Sequence, residues 1–206
     1  MSTQLFTNAH IATGMPSSTA ADTAAIQDIL VEDGKFVSIA PNLKATLEAQ
    51  GQDRASVEVI DLGGKLVCPP FCDTHLHLDY VFTARKPGAV NESGTLFEGI
   101  QRWSETKADL TVDEIKERAK IGIAKEMRHG VQFIRSHADV TDPNLTSLKA
   151  LLELKEELKD TVTLQIVSFP QEGMYSYEGP HGESGAELVE EGLKMGADCV
   201  GGIPHF

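Results

Sequence analysis

From residue 66 onward, extended runs alternate with amphipathic helical runs, and this alternation limits the fold more than any other feature of the chain. The extended runs cover 66–77, 131–140, 162–169 and 199–203, and the helical patterns cover 95–107, 111–128, 145–158 and 186–195. Strands separated by helices of that length lie parallel, because each helix carries the chain back along the sheet in a right-handed crossover. Local signals mark the boundaries. Thr111 and Glu114 have capping-box spacing, and Gly130 and Gly196 suit the left-handed caps that end helices. His129, just before Gly130, reads as a helix C-terminal residue, where positive charge is favoured.

Residues 4–65 are built differently. Short extended pieces at 5–11, 26–31, 36–40 and 57–62 are separated by Gly14, Pro16, Ser17 and Ser18 and by the pairs Asp33-Gly34 and Gly63-Gly64. Asp33-Gly34 between two apolar runs predicts a hairpin, since tight hairpin turns need positive φ. The expectation is an α/β chain in two parts. Residues 1–65 form a small β-sandwich module, and 66–206 form the first four or so βα units of a (β/α)₈ TIM-type barrel. A whole barrel needs about 250 residues, so the second part fits about half of one, as in an N-terminal fragment of a longer polypeptide.

Composition excludes several function classes. A formal charge of −13 repels nucleic acid and anionic membrane surfaces. No apolar run approaches the roughly 20 residues that span a bilayer. Three cysteines and the lack of a signal-peptide pattern point to a soluble, cytoplasmic protein with free thiols. Cys68 and Cys72 lack the second pair a structural zinc site needs and read as packing residues. Phe97, Ile100 and Trp103, at helical spacing, read as a core stripe. Glu153, Glu156 and Glu157, among lysines, read as a solvated face.

The chemistry gathers at His75 and His77. Alternate strand residues share a face, so these imidazoles point together while Thr74, Leu76 and Leu78 point away. Two histidines at the C-terminal end of a barrel strand can hold one divalent ion, Zn²⁺ or Fe²⁺. Asp79 would brace this loop or cap a turn. On the second strand Arg135, His137 and Asp139 share a face, and buried charges are costly unless paired or used. His137 and Asp139 are expected in the pocket or bracing the ligands. His205 is expected at the same mouth.

Asp73-Thr74-His75-Leu76-His77 resembles the metal signature of the amidohydrolase superfamily. Longer stretches resemble the bacterial cytosine deaminases in particular: Ser93 through Trp103, Arg135 through Val140, Leu164 through Gly173, and Gly196 through Phe206. That resemblance implies a hydrolase acting on a C–N bond of a cyclic amidine, with one divalent metal ion and a nucleobase substrate. Metal-bound hydroxide would attack the amine-bearing carbon and turn cytosine into uracil, as in pyrimidine salvage. His75 and His77 would be ligands, and Gln171 and Leu96 would contact substrate, with Phe169 in the pocket wall. Gln171 is suited to a pyrimidine edge because an amide both donates and accepts.

In the family pattern a third histidine, an aspartate and a proton-shuttling glutamate complete the site, and all three fall beyond Phe206. The isolated chain is therefore expected to lack general acid/base catalysis and to need the remaining half of the barrel as partner, with association into a homo-oligomer a further expectation of the resemblance. Related rings remain alternatives: isocytosine, isoguanine, creatinine or triazines. So does a non-catalytic assembly module. The other zinc deaminases pair an H-x-E element with P-C-x-x-C, and no P-C-x-x-C occurs in this sequence; phosphate-binding glycine loops are missing too.

Overall fold

The computed structural model describes residues 2–11, 26–49, 57–142 and 144–204. The break at 14–18 and His205 lie outside them. The chain divides into two compact units, 1–69 and 70–206.

In the first unit, β1 (Thr3–Ile11), β2 (Ile26–Glu32), β3 (Lys35–Ala40), β4 (Val57–Asp61) and β5 (Leu66–Val67) form one five-stranded sheet. β2 and β3 are the expected hairpin, and Asp33 and Gly34 both take positive φ, at 48° and 76°. β4 and β5 each pair in parallel with β1. The short helix α1 (Leu43–Ala49) between β3 and β4 has no apolar repeat strong enough to announce it in the sequence.

The extended run expected over 66–77 is two strands. Leu66 and Val67 pair with β1, whereas β6 (Phe71–Leu76) opens the second unit. Between them stand Pro69 and Pro70, which have no N–H to give a ladder. Cys68 and Cys72 flank the prolines and are exposed, which corrects the packing role expected of them.

The second unit is the alternating one. β6, β7 (Val131–Asp139), β8 (Thr163–Phe169) and β9 (Cys199–Val200) form a four-stranded parallel sheet in sequence order. The helices are α2 (Leu96–Lys107), α3 (Val112–Arg128), α4 (Thr146–Glu157) and α5 (Gly185–Met195). Their starts follow side-chain chemistry. Thr95, Thr111 and Ser184 accept the N–H of the third helical residue in α2, α3 and α5. The full reciprocal box forms at Ser184/Glu187; in α3, Glu114 pairs instead with Lys86 at 2.5 Å. α4 has Leu145 at its N-cap, so Asp142 supplies the acceptor, taking the Thr146 N–H at 2.6 Å.

One face of this sheet is packed. Ile134 and Ala138 of β7 and Leu164 and Ile166 of β8 meet Ile115 and Ile123 of α3, Leu148 and Leu151 of α4, and Leu188 of α5 in one core. Lys116 reaches Glu153 at 2.8 Å, so the solvated acidic face of α4 is ion-paired to α3. The other face is open: Phe133, 46% exposed, and Arg135 alternate with the buried Ile134 and Ser136. Among the described residues no helix is long and apolar enough to cross a membrane.

Candidate metal centre

β6 does not run straight to its end. It advances three residues, from Asp73 to Leu76, while β7 advances two, from Ile134 to Ser136. This bulge re-aims the side chains that follow it. Asp73 Oδ1 accepts the His75 N–H at 2.9 Å, so the displaced amide keeps a partner. Beyond the strand, the Leu78 N–H donates to Ser136 Oγ at 3.0 Å, and the Leu78 side chain is fully buried. His77 is thereby held between two fixed points.

The result is a cluster of three imidazoles. His75, His77 and His137 each offer a ring nitrogen, and these atoms all lie within 4.8 Å of one another. The His75 and His137 ring centres are 4.3 Å apart, and His77 is 5.3 Å from each. Phe169, at the end of β8, presents its edge to both His77 and His137. Tyr80 stacks on His77 at 4.7 Å, with Trp103 4.8 Å beyond it.

Burial and crowding disfavour the charged form of His77 and His137. Burial, and then the neighbouring His137 and His75, pull the His77 pKa down to about 4. Burial and then His75 lower His137 as well. Nδ1 of His77 and Nδ1 of His137 are buried without a hydrogen-bond partner among the described residues. Such atoms normally find one, and uncharged imidazole nitrogens that converge without donors fit a divalent transition-metal ion.

A cavity of about 610 Å³ opens over the cluster. His75, His77, His137, Phe169, Gln171, Trp103 and Leu96 line it, with Gly202 to Pro204 closing one side. Gln171 is 5% exposed and Leu96 66% exposed, so one is a fixed wall and the other a rim.

Asp139 lies beneath the cavity without lining it. Its Oδ2 accepts Trp103 Nε1–H at 2.7 Å and Lys107 Nζ at 3.0 Å, and its Oδ1 accepts from Thr141 and from the Gln171 N–H. Asp79 is fully buried, and burial raises its pKa to about 7. Burial depresses the Lys107 ammonium, but Asp139 and Glu172 more than offset it, leaving the pKa above its ordinary value. Lys107, Glu172 and Tyr80 are not apparent as site residues in the sequence. The available signal was that Trp103 and Lys107, four apart on α2, share one face. Trp103 is buried as expected but also lines the cavity, whereas Phe97 of the same stripe stays exposed.

Residues 58–206 match the model of an amidohydrolase family. The chain belongs to that family. It is 31% identical over 182 residues to N-isopropylammelide isopropyl amidohydrolase of Pseudomonas sp. (strain ADP), covering 86% of this chain and 42% of that protein. The structure of 5-methylcytosine deaminase from Klebsiella pneumoniae, liganded with phosphonocytosine, superimposes with a TM-score of 0.77 at 40% identity, over 98% of this chain and 44% of that one. N-isopropylammelide isopropylaminohydrolase from Burkholderia multivorans gives 0.71 at 26% identity, over 97% and 44%. The chain therefore spans less than half the length of these relatives. It is an amidohydrolase that resembles a cytosine deaminase.

Proposed function

We propose that this chain carries half of the active site of a metal-dependent deaminase acting on cytosine or 5-methylcytosine. The observation that carries the reading is the convergence of the three imidazoles under a cavity walled by Gln171. His75 and His77 would hold the ion, with His137 as the third nitrogen available within the chain. When bound, a divalent ion would lower the pKa of water toward neutrality and so supply a hydroxide nucleophile for the amine-bearing ring carbon. The chain's own residues bind and orient the ring. The Gln171 amide can donate to and accept from adjacent polar atoms of a pyrimidine edge, Leu96 and Phe169 supply apolar contact, and Trp103 closes the floor.

The open face of the parallel sheet supports a second part of the proposal. An exposed Phe133 beside Arg135 is what the interior of a (β/α)₈ barrel looks like when half its strands are supplied from elsewhere. We assign the third histidine, the aspartate and the proton-shuttling glutamate of the family pattern to those other βα units. A ring with an N-alkyl substituent is the second reading, favoured by the likeness to the isopropylammelide hydrolases.

Ligand binding to the Zn²⁺-loaded chain separates the two. Cytosine and 5-methylcytosine should quench the fluorescence of Trp103, the chain's single tryptophan, at lower concentration than N-isopropylammelide. The reverse order would sink the cytosine reading.

A further inference from the structure

Residues 170–173 form a tight turn, with the Gly173 N–H donating to the Pro170 carbonyl at 3.0 Å. Its two central residues go different ways. Gln171 lines the cavity, while Glu172 accepts Lys107 Nζ at 2.6 Å and Ser104 Oγ at 2.8 Å. Lys107 is 8% exposed and also donates to Asp139 and to Thr141 Oγ1 at 3.1 Å. The Gln171 backbone has its own bond to Asp139, but at 3.3 Å it is at the long end for an N–H donor. The ion-paired contact one residue along is the stronger anchor.

We propose that Lys107 is a positioning residue for ring recognition: by bridging Asp139 and Glu172 it fixes Gln171 and Trp103 as the wall and floor of the cavity. The inference rests on the reading of that cavity as a nucleobase site. Its physical basis is the arrangement of charge. Asp139 is 1% exposed and gathers donors from α2, from the residue pair after β7 and from the turn after β8. A buried carboxylate without its cation draws in water or shifts its other donors. Trp103 and Gln171 are among those donors, so the loss of Lys107 is transmitted to both surfaces that face the ligand.

The test uses the full chain with Lys107→Met, Lys107→Arg and Glu172→Gln. Three quantities are compared: the ¹H–¹⁵N signals of the Gln171 side-chain amide and the Trp103 indole, cytosine affinity from Trp103 fluorescence, and Co²⁺ affinity from visible absorption. Losing this charge-assisted bond should shift both signals and weaken cytosine about tenfold in Lys107→Met and Glu172→Gln, with Co²⁺ affinity held within about twofold. Lys107→Arg should recover most of the cytosine affinity, because it keeps the cation.

If Lys107→Met does not fold, Glu172→Gln carries the comparison, since its side chain is 31% exposed and its charge is not needed by the core. Unchanged Gln171 and Trp103 signals in Glu172→Gln overturn the proposal. Equal loss of Co²⁺ and cytosine overturns it too, since that marks general loosening. A wild-type chain that binds Co²⁺ but no cytosine refutes the nucleobase reading instead, and the two signals still decide whether Lys107 positions the turn.

Discussion

Asp79 and Asp139 are joined through the backbone: the Asp139 N–H donates to Asp79 Oδ2 at 2.9 Å, and both carboxylates are shut off from solvent. Asp79 Oδ1 also takes the Tyr80 N–H at 3.1 Å, and Arg118 holds the Asp79 and Val81 carbonyls. Each aspartate follows its strand's histidine by two residues, so this one bond ties together the strand ends that present His77 and His137. Replacing Asp79 with Ala leaves one buried and one half-buried backbone donor unpaired, which costs about 2–4 kcal/mol. Urea unfolding should show that loss. A loss below about 0.5 kcal/mol, within the range of an ordinary surface change, would count against the tie.

Metal binding should depend on each of the three imidazoles. Removing one of three nitrogen ligands is expected to weaken Co²⁺ or Zn²⁺ by at least about tenfold, the scale on which even indirect supports of a metal site act. His75→Ala, His77→Ala and His137→Ala can be compared by titration calorimetry on the intact chain. His137 is the informative case. If His137→Ala binds metal as the wild type does, the ion uses the His75/His77 pair alone and His137 serves only the pocket wall.

The two parts of this site were unequally legible in the sequence. His75 and His77 are two apart on one strand, so alternation alone places them together. His137 belongs to a strand 60 residues on, and its distance from His75 is set by sheet register and by the bulge in β6, neither of which leaves a local mark. The parallel sheet was readable because helix caps and glycines punctuate it; the division of 66–77 was visible only as Pro69-Pro70. Lys107 was invisible for a physical reason. A lysine in a helix's last turn normally serves the helix dipole in solvent, and only the tertiary placement of Asp139 and Glu172 turns it inward.

Acid should open the rim of the cavity before it unfolds the core. Glu98, in the first turn of α2, accepts the Ser93 N–H at 2.6 Å and the Glu92 N–H at 3.1 Å, and these bonds, led by that with the Ser93 side chain, lower its pKa from 4.5 to about 2. A folded-state pKa below the unfolded one means the folded chain binds fewer protons in that window. The stabilisation is complete above pH 4.5 and disappears as the pH falls toward 2. Gly94, Thr95 and Leu96 line the cavity directly after this clasp. Hydrogen exchange at the Ser93 amide should therefore lose its protection in that acid range. Glu98→Gln should lose it already at pH 7, and retained protection in the variant would show that the loop is held by something else.

Gly185 offers a case where two effects of opposite sign can be ranked. It begins α5 directly after the Ser184 cap and does not take positive φ, so alanine suits its backbone and would gain up to about 1 kcal/mol in helix propensity. A Cβ there, however, falls 2.0 Å from the Gly173 carbonyl oxygen and 3.1 Å from Met174 Cα. Both are backbone atoms, so no rotamer relieves the overlap. Either α5 or the turn carrying Gln171 must move, and forced packing of this kind costs about 1–3 kcal/mol. Gly99 supplies the contrast, because a Cβ there meets only the Asn91 side-chain nitrogen, at 3.3 Å. Thermal melts should rank Gly185→Ala below the wild type and Gly99→Ala at or above it. A Gly185→Ala chain that melts higher would mean that the close approach of α5 to the 170–174 turn does not hold in solution.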